Sequence, residues 1–388
     1  MKCSTLAASL MATAAICGPA WAQKVPEIRL TKPDARFPTE FSSITGLREL
    51  PDGRVLITDG IDETLLRLDL SAGKADTIGR AGQGPGEYKT PDALFPWPGG
   101  GTLLVDLGNA RLSFFDPGLK YVESSPIARG EPGRGMTMVI PQGVDDQGRI
   151  YFQGIMRGPG EGRADSGVVL RYDKRKNVID TVAKVKLGEM KVSSSGSANN
   201  RSMSMRPVPL SPDDQWGVAG DGRLAIARMA DYHLEWVVPG GRRVPGPANP
   251  WKPVPIRDAD KKEWAGDMAN GLSIMVSNDN GRMSVRMGRG GPAGRDKDEE
   301  ARIAQLEWPA AKPAFRSVRV APNGDAWVER YVAAGTPREF DVFRADGMLI
   351  RKLILPVGRR LVGFGKGVVY LRETTADELQ YLEQYRMQ

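Results

Sequence analysis

A short apolar strand following a glycine-centred turn recurs six times along this 388-residue chain, and no other feature narrows its fold so far. Pro51-Asp52-Gly53 precedes Val55–Asp59, and Gly99-Gly100-Gly101 precedes Thr102–Asp106. Asp145-Asp146-Gln147-Gly148 leads into Arg149–Phe152, and Asp221-Gly222 into Arg223–Ala227. Pro322-Asn323-Gly324 and Lys366-Gly367 open the last two copies, Asp325–Val328 and Val368–Leu371. Each glycine stands where a tight hairpin needs φ > 0, which a residue with a Cβ tolerates poorly. The strands that follow are apolar at almost every position, so both of their faces must be covered.

Most copies add a third strand and another turn. Leu66–Leu70 precedes Ser71-Ala72-Gly73, Leu112–Phe115 precedes Asp116-Pro117-Gly118, and Phe340–Phe343 precedes Ala345-Asp346-Gly347. Three or four short antiparallel strands per unit, six times over, predict an all-β chain folded as a six-bladed β-propeller. The anchor glycines lie 48, 47, 74, 102 and 43 residues apart. A blade takes roughly 40–50 residues. The third and fourth intervals therefore carry about 27 and about 55 additional residues, placed at about 189–209 and 257–313.

The first 22 residues have the layout of a secretory signal peptide. Lys2 is followed by an apolar stretch from Leu6 to Ile16, then by Ala20-Trp21-Ala22 before Gln23, an A-x-A cleavage pattern. The apolar run is shorter than the roughly 20 residues a bilayer span needs. Ile16 places a bulky residue before Cys17 where a lipid-attachment motif wants a small one. Both cysteines, Cys3 and Cys17, fall in this segment, so the expected mature chain, 23–388, has none and must rely on a packed core rather than disulfides. No other stretch is apolar enough for a membrane helix, and a soluble periplasmic or secreted protein is expected. Removing Lys2 leaves 53 Lys and Arg against 47 Asp and Glu. In an exported protein that excess suits acidic glycans or anionic surfaces rather than nucleic acid.

The run Arg80–Tyr88, Arg-Ala-Gly-Gln-Gly-Pro-Gly-Glu-Tyr, followed by Thr90-Pro91, resembles the inter-blade linker of NHL-type six-bladed propellers. So does Leu103–Asp116 with its Asn109-Ala110-Arg111 turn. The match covers roughly residues 41–130 and is fainter beyond. The chain is accordingly similar to the NHL-like and TolB-like propellers of exported bacterial proteins. The resemblance implies the fold; such propellers serve as binding platforms, and related ones host lactonases, esterases and lyases. The Glu, Asn and Asp set that holds calcium in gluconolactonase-type propellers is not found at matching positions. Gly82, Gly84 and Gly86 suggest a phosphate loop at first sight, but Pro85 and Thr90-Pro91 block the helix such a loop must open.

A propeller must join its last blade to its first. Val25–Leu30, which alternates apolar and polar, is expected to pair with Leu382–Tyr385 as a closing strand. Thr375–Glu378 also fits a helix capping box, although the repeat register favours a strand there.

The candidate site residues fall into two groups. Asp59 and Asp106 end the second strands of the first two units. Arg228, Glu329, Arg330, Arg372 and Glu373 stand near the equivalent position later. If those ends converge on the central channel they form a mixed-charge ring suited to polar ligands rather than to chelation of a hard cation; Asp59 and Asp106 also suit turn capping. The second group lies in the insertions, since loops on a rigid scaffold commonly carry binding residues. Lys191–Pro209, rich in Ser, Asn, Met and Arg, reads as a long loop without periodicity. In the second insertion a helix is expected over Asp258–Asn270, with Trp264 and Met268 on one face. A hairpin is expected around Asn278–Gly281, then a further helix from about Lys297 to Glu307. This insertion is expected to cover one mouth of the propeller. Arg282, Arg286, Arg289 and Arg295 would then present guanidinium groups to a carboxylate or phosphate; a solvated basic loop is the plain alternative.

His233, the one histidine, alternates with Tyr232, Leu234 and Trp236 in a strand, and no G-x-S-x-G elbow accompanies it. No catalytic constellation, metal site or cofactor motif emerges. The expectation is a cell-envelope propeller that binds a polar small molecule, a glycan or an envelope protein. A metal-dependent hydrolase or lactonase of the gluconolactonase type is the alternative.

Overall fold

The computed structural model describes residues 25–130, 136–154, 166–197, 200–269, 271–279, 282–289 and 303–387, with side chains except at 190–207, 269, 272–279, 282–286 and 289. Among the described residues the chain forms six blades, each of four antiparallel strands, the fifth carrying one further strand at its outer edge. The first is built from Ile44–Glu49, Val55–Asp59, Thr64–Asp69 and Lys74–Thr77, running from the inner to the outer edge. The next four repeat this order, beginning at the inner strands Pro91–Trp97, Gly143–Val144, Gln215–Val218 and Phe315–Val320. The sixth consists of Arg359–Gly365, Val368–Thr374 and Gln380–Arg386, completed by Ala35–Arg36 from the start of the chain.

Alternation along the second strands explains how the blades stack. Val55 and Ile57 pack with Tyr370 and Leu382 of blade six, while Leu56 between them packs with Leu94 and Leu104 of blade two. The same division holds around the ring. Leu103 and Val105 meet Ile150 and Phe152 of blade three, and Tyr151 meets Trp216 and Ile226 of blade four. Ala225 and Trp236 meet Phe315 and Phe343 of blade five, and Trp327 meets Leu361 and Leu371 of blade six. The core is thus six apolar clusters, one between each pair of neighbours. Inner strands approach closely enough to exclude side chains at chosen points. A Cβ on Gly46 would overlap the backbone oxygen of Asp92 in the next blade, so only glycine fits there.

The ring closes through a different segment from the one expected. Asp34 donates its N–H to the carbonyl of Gln384 at 2.8 Å, Phe37 to that of Leu382 at 2.9 Å, and Phe41 exchanges bonds with Gln380 at 2.8 Å. Phe37 and Phe41 are buried and stacked with ring centroids 5.7 Å apart. Residues 25–30 do form a strand, Glu27–Arg29, but it pairs in parallel with Lys352–Ile354 at the outer edge of blade five. There Ile28 and Leu30 pack against the Trp327 cluster. Alternation identified a strand and not its partner; two buried phenylalanines ten residues later offer the larger apolar gain.

The Lys191–Pro209 loop also needs correcting. Met190–Ser197 and Asn200–Pro207 form an unbroken hairpin from Met190↔Pro207 to Ser197↔Asn200. The period-two run Ser202-Met203-Ser204-Met205 is the strand signal that the polar composition concealed. The segment Gln380–Arg386 is a strand, as the repeat register implied.

Candidate functional site

Each blade has one end at which its second strand stops and its third begins. The connections between blades arrive at that same end, so all of these loops share one face of the disc. Both insertions leave from it, after Lys186 and after Pro245. The strand Asn200–Pro207 of the first lies beside Leu272–Asp279 of the second. Those second-insertion residues pair with Arg282–Arg289, and Met287 reaches the apolar cluster between blades two and three. The second insertion leaves blade four and enters blade five, so it crosses the disc to touch blades two and three.

Its helix, α1 (Asp258–Ala269), ends where the expected helix did to within a residue. Trp264 packs edge-on against Trp308 at 5.3 Å, and Ala265 is buried, while Met268 is 45% exposed. Three carboxylates at i, i+3 and i+7 share one stripe of the helix; the first meets a cation of the insertion itself, and the other two meet cations of blades five and six. Asp260 contacts Lys312 at 2.6 Å with both side chains buried. Its oxygens also accept the N–H groups of Arg257 at 2.8 Å and Ala334 at 2.7 Å. Glu263 contacts Arg338 at 2.5 Å and Arg360 at 3.8 Å. Asp267 contacts Arg316 at 2.6 Å and also Arg360.

Beneath them Glu329 accepts from Ser317 Oγ at 3.0 Å and from Arg338 at 2.6 Å. Burial opposes its charge, but Arg316 and Arg338 outweigh burial and hold the carboxyl below its ordinary range. Asp267 is lowered by the same balance, burial against Arg316 and Arg360. Burial pushes the Tyr331 phenol up to about 12. Asp213, in the connection entering blade four, behaves oppositely: burial, helped by the charge of Asp214, raises its carboxyl to about 6 against the Gln215 amide at 2.8 Å, a backbone N–H and Lys186.

The residues singled out from sequence stand on this face but are spread around it. Asp59 is buried and accepts the N–H groups of Ser43 and Ile61 at 3.0 Å and Asp62 at 3.1 Å. Asp106 accepts from Lys89 N at 3.0 Å, Asn109 Nδ2 at 2.7 Å and Arg111 Nε at 3.2 Å. Arg111 in turn donates to the carbonyls of Gln83, Gly84 and Glu87, stitching the Arg80–Tyr88 linker down. Arg228 pairs with Asp214 at 2.9 Å and Glu235 at 3.1 Å. Arg330 pairs with Asp341 at 2.8 Å and lies 4.4 Å over the Tyr232 ring. Glu373 pairs with Arg359 and with Arg36, both at 2.9 Å. His233 contacts Asp231 at 2.5 Å beside Arg228.

Arg330 and Glu329 are the sequence candidates that join the cluster under α1. Arg282, Arg286 and Arg289 lie on the hairpin strand opposite Asp279, Met275 and Leu272. Arg295 and most of the Lys297–Glu307 helix lie outside the described residues. Arg316, Arg338, Arg360 and Lys312 escaped the sequence reading. The acidic stripe Asp260, Glu263 and Asp267 was legible as a helical spacing, but its partners lie 49 to 93 positions away.

Among the described residues, no three or more His, Cys, Asp or Glu side chains are grouped to hold a metal ion. No described helix is long and apolar enough to cross a membrane. No protein-family model matches the chain, and no curated protein matches it in sequence. Solved six-bladed propellers follow a similar path. A member of the DUF4221 family from Bacteroides vulgatus is 10% identical, covering 90% of this chain and 95% of its own, with a TM-score of 0.47. A gluconolactonase from Xanthomonas campestris is 11% identical over 90% of this chain and 92% of its own, at 0.40. The calcium-binding protein regucalcin from Agrobacterium tumefaciens is 10% identical over 94% and 97%, at 0.39. These are likenesses of chain path alone; the chain's own strand order and the six apolar clusters between its sheets make it a six-bladed β-propeller.

Proposed function

We propose that this chain is an exported, cell-envelope binding propeller of the NHL-like or TolB-like kind, which recognises a polar ligand on its insertion-bearing face. The observation that carries the reading is the one-sidedness of the elaboration. Both insertions rise from the same face, their hairpins lie together, and α1 is held to blades five and six by ion pairs. A rigid disc with one decorated face is the usual arrangement of a recognition platform. The leader-like residues 1–22 support export, and a cysteine-free chain from residue 23 suits an oxidising compartment. Polar small molecules, glycans and envelope proteins are the ligand classes that a charged, loop-bearing face serves. The scattered candidates Asp59, Asp106, Arg228, Arg330 and Glu373 stand at the strand ends on that face, and Arg282, Arg286 and Arg289 on one strand of the second insertion's hairpin.

A glycan and envelope-fragment binding screen tests this with purified mature protein and the double variant Arg316→Gln/Arg338→Gln. Binding by the parent that drops at least tenfold in a folded double variant is the expected result. Binding that ignores the substitutions moves recognition to another surface. Calcium-dependent turnover of a sugar lactone would replace the binding reading with the hydrolase one.

A further inference from the structure

The cleft between α1 and blade five is lined by Lys312, Arg316, Arg330, Arg338 and the Tyr331 ring against the single carboxylate of Glu263. Arg360 adds a fifth cation at its edge through Asp267 and Glu263. Two blade carboxylates touch this group, Glu329 on Arg316 and Arg338, and Asp341 on Arg330. Five cations against two acids leave three positive charges, and the three carboxylates of α1 balance them. Among the described side chains of the helix Ala265 is the one buried apolar group, while Trp264 meets Trp308 of the same insertion and Met268 is exposed. Charge seats it.

A helix carrying acids at i, i+3 and i+7 is a rod of carboxylates spaced roughly 5–6 Å apart. A linear polyanion presents the same pattern. Deepening the binding reading above, on which this rests, we propose that the guanidinium groups of Arg316, Arg338 and Arg360 in this cleft form a binding site for a linear polyanion, an acidic glycan or a polyphosphate, and that the second half of α1 fills it as an internal mimic until the polyanion displaces it. The two ends of α1 differ in the required way. Asp260 is anchored by two backbone N–H groups as well as by buried Lys312. Glu263 and Asp267 are held by guanidinium groups, which accept phosphate or carboxylate oxygens equally well. The Asp260 end is therefore the hinge and the Asp267 end the part that lifts. Guanidinium groups that already hold carboxylates in suitable geometry need no rearrangement to receive a ligand's.

Calorimetric titration of the mature protein with trigalacturonate, tripolyphosphate and uncharged maltotriose tests the proposal. Amide hydrogen exchange over residues 258–269 is followed in the same samples. At least one anionic probe is expected to bind, with affinity falling as salt rises, and exchange across the second half of α1 is expected to increase on binding. Glu263→Gln/Asp267→Asn should tighten that binding on the order of tenfold, because the competitor is weakened. Arg338→Gln/Arg360→Gln should weaken it by a similar factor. Whichever anion binds better identifies the source of the charge. Unchanged or slowed exchange in α1 on anion binding overturns displacement, and this readout needs no variant to fold. Absence of anion binding in both the parent and the Glu263→Gln/Asp267→Asn protein overturns the site itself. Binding of maltotriose or of an envelope protein at this face, with no response to either anion, overturns this inference while leaving the binding reading intact.

Discussion

Blades one and two use their loop-face acids differently from blades five and six. In the first pair, Asp59 and Asp106 spend their oxygens mainly on backbone N–H groups of adjoining turns. Connections there are short, and the repeat is regular. In the second pair, Glu329, Asp341 and the acids of α1 meet guanidinium and ammonium groups instead. A carboxylate whose oxygens are taken up mainly by backbone N–H groups is committed to the fold. A carboxylate bonded to a side-chain cation can exchange that partner for another. The regular side of the disc is therefore built for closure and the elaborated side for exchange.

The contrast breaks most visibly at the closure. Phe37→Ala removes a buried ring that seals blade six against blade one, and should cost about 3–5 kcal/mol. Deleting residues 25–31 removes only the added edge strand of blade five. It should lower the melting temperature by much less. Thermal melts of the two variants check this; equal losses would mean that residues 25–31 close the ring after all.

Next in size is a matched pair of acid deletions. Asp106→Ala leaves the N–H groups of Lys89 and Thr90 and the guanidinium of Arg111 without their acceptor. Each stranded buried donor costs about 1–3 kcal/mol, and the total should be about 2–4. Asp267→Ala releases Arg316 and Arg360, but Arg316 retains Glu329 and Arg360 retains Glu263. Its cost should be about 1 kcal/mol and should shrink in high salt, because part-exposed pairs are screened. Urea unfolding at low and high salt measures both. A larger cost for Asp267→Ala would erase the distinction between the two sides.

Most of the regular side was legible in sequence because its signals are local. Val55, Leu56 and Ile57 alternate between neighbouring blades, and an apolar run bounded by Asp52-Gly53 and Asp59-Gly60 already implies cover on both faces. The turn signal that starts at Asn278 and the four-residue spacing of Trp264 and Met268 are equally local, and strands flank the one while a helix holds the other. The ring closure was only half legible, since a strand's alternation does not name its neighbour. The Ser- and Met-rich hairpin was hidden because its polar face made composition speak for a loop. The cluster under α1 was illegible for a stronger reason. Glu263 and Arg338, or Asp267 and Arg360, become a pair only once the insertion has folded back across the disc. Nothing in the spacing of either residue anticipates the other.

The smallest expected effect has the opposite sign and singles out one group of the elaborated side. Asp213 is part-buried with its carboxyl raised to about 6, so the folded state resists its ionisation. Between the unfolded value near 4 and the folded value, the native protein binds the extra proton. Stability falls as pH climbs through that window, and the full penalty persists above it. A shift of this size corresponds to at most roughly 3 kcal/mol, and partial exposure reduces it to about 1. Asp213→Asn keeps the side-chain oxygen that receives the Gln215 amide and removes the charge. It should stabilise the protein by about 1 kcal/mol at pH 7.5 and by nothing at pH 4. The acids Asp267 and Glu329, held below their ordinary range, act the other way: their contribution is complete above about pH 4 and is lost as pH falls. A parent whose stability declines from pH 4.5 to 7, with the decline abolished by Asp213→Asn, would assign that decline to this buried carboxyl. A decline identical in the variant would assign the pH dependence to some other group and remove Asp213 from the account.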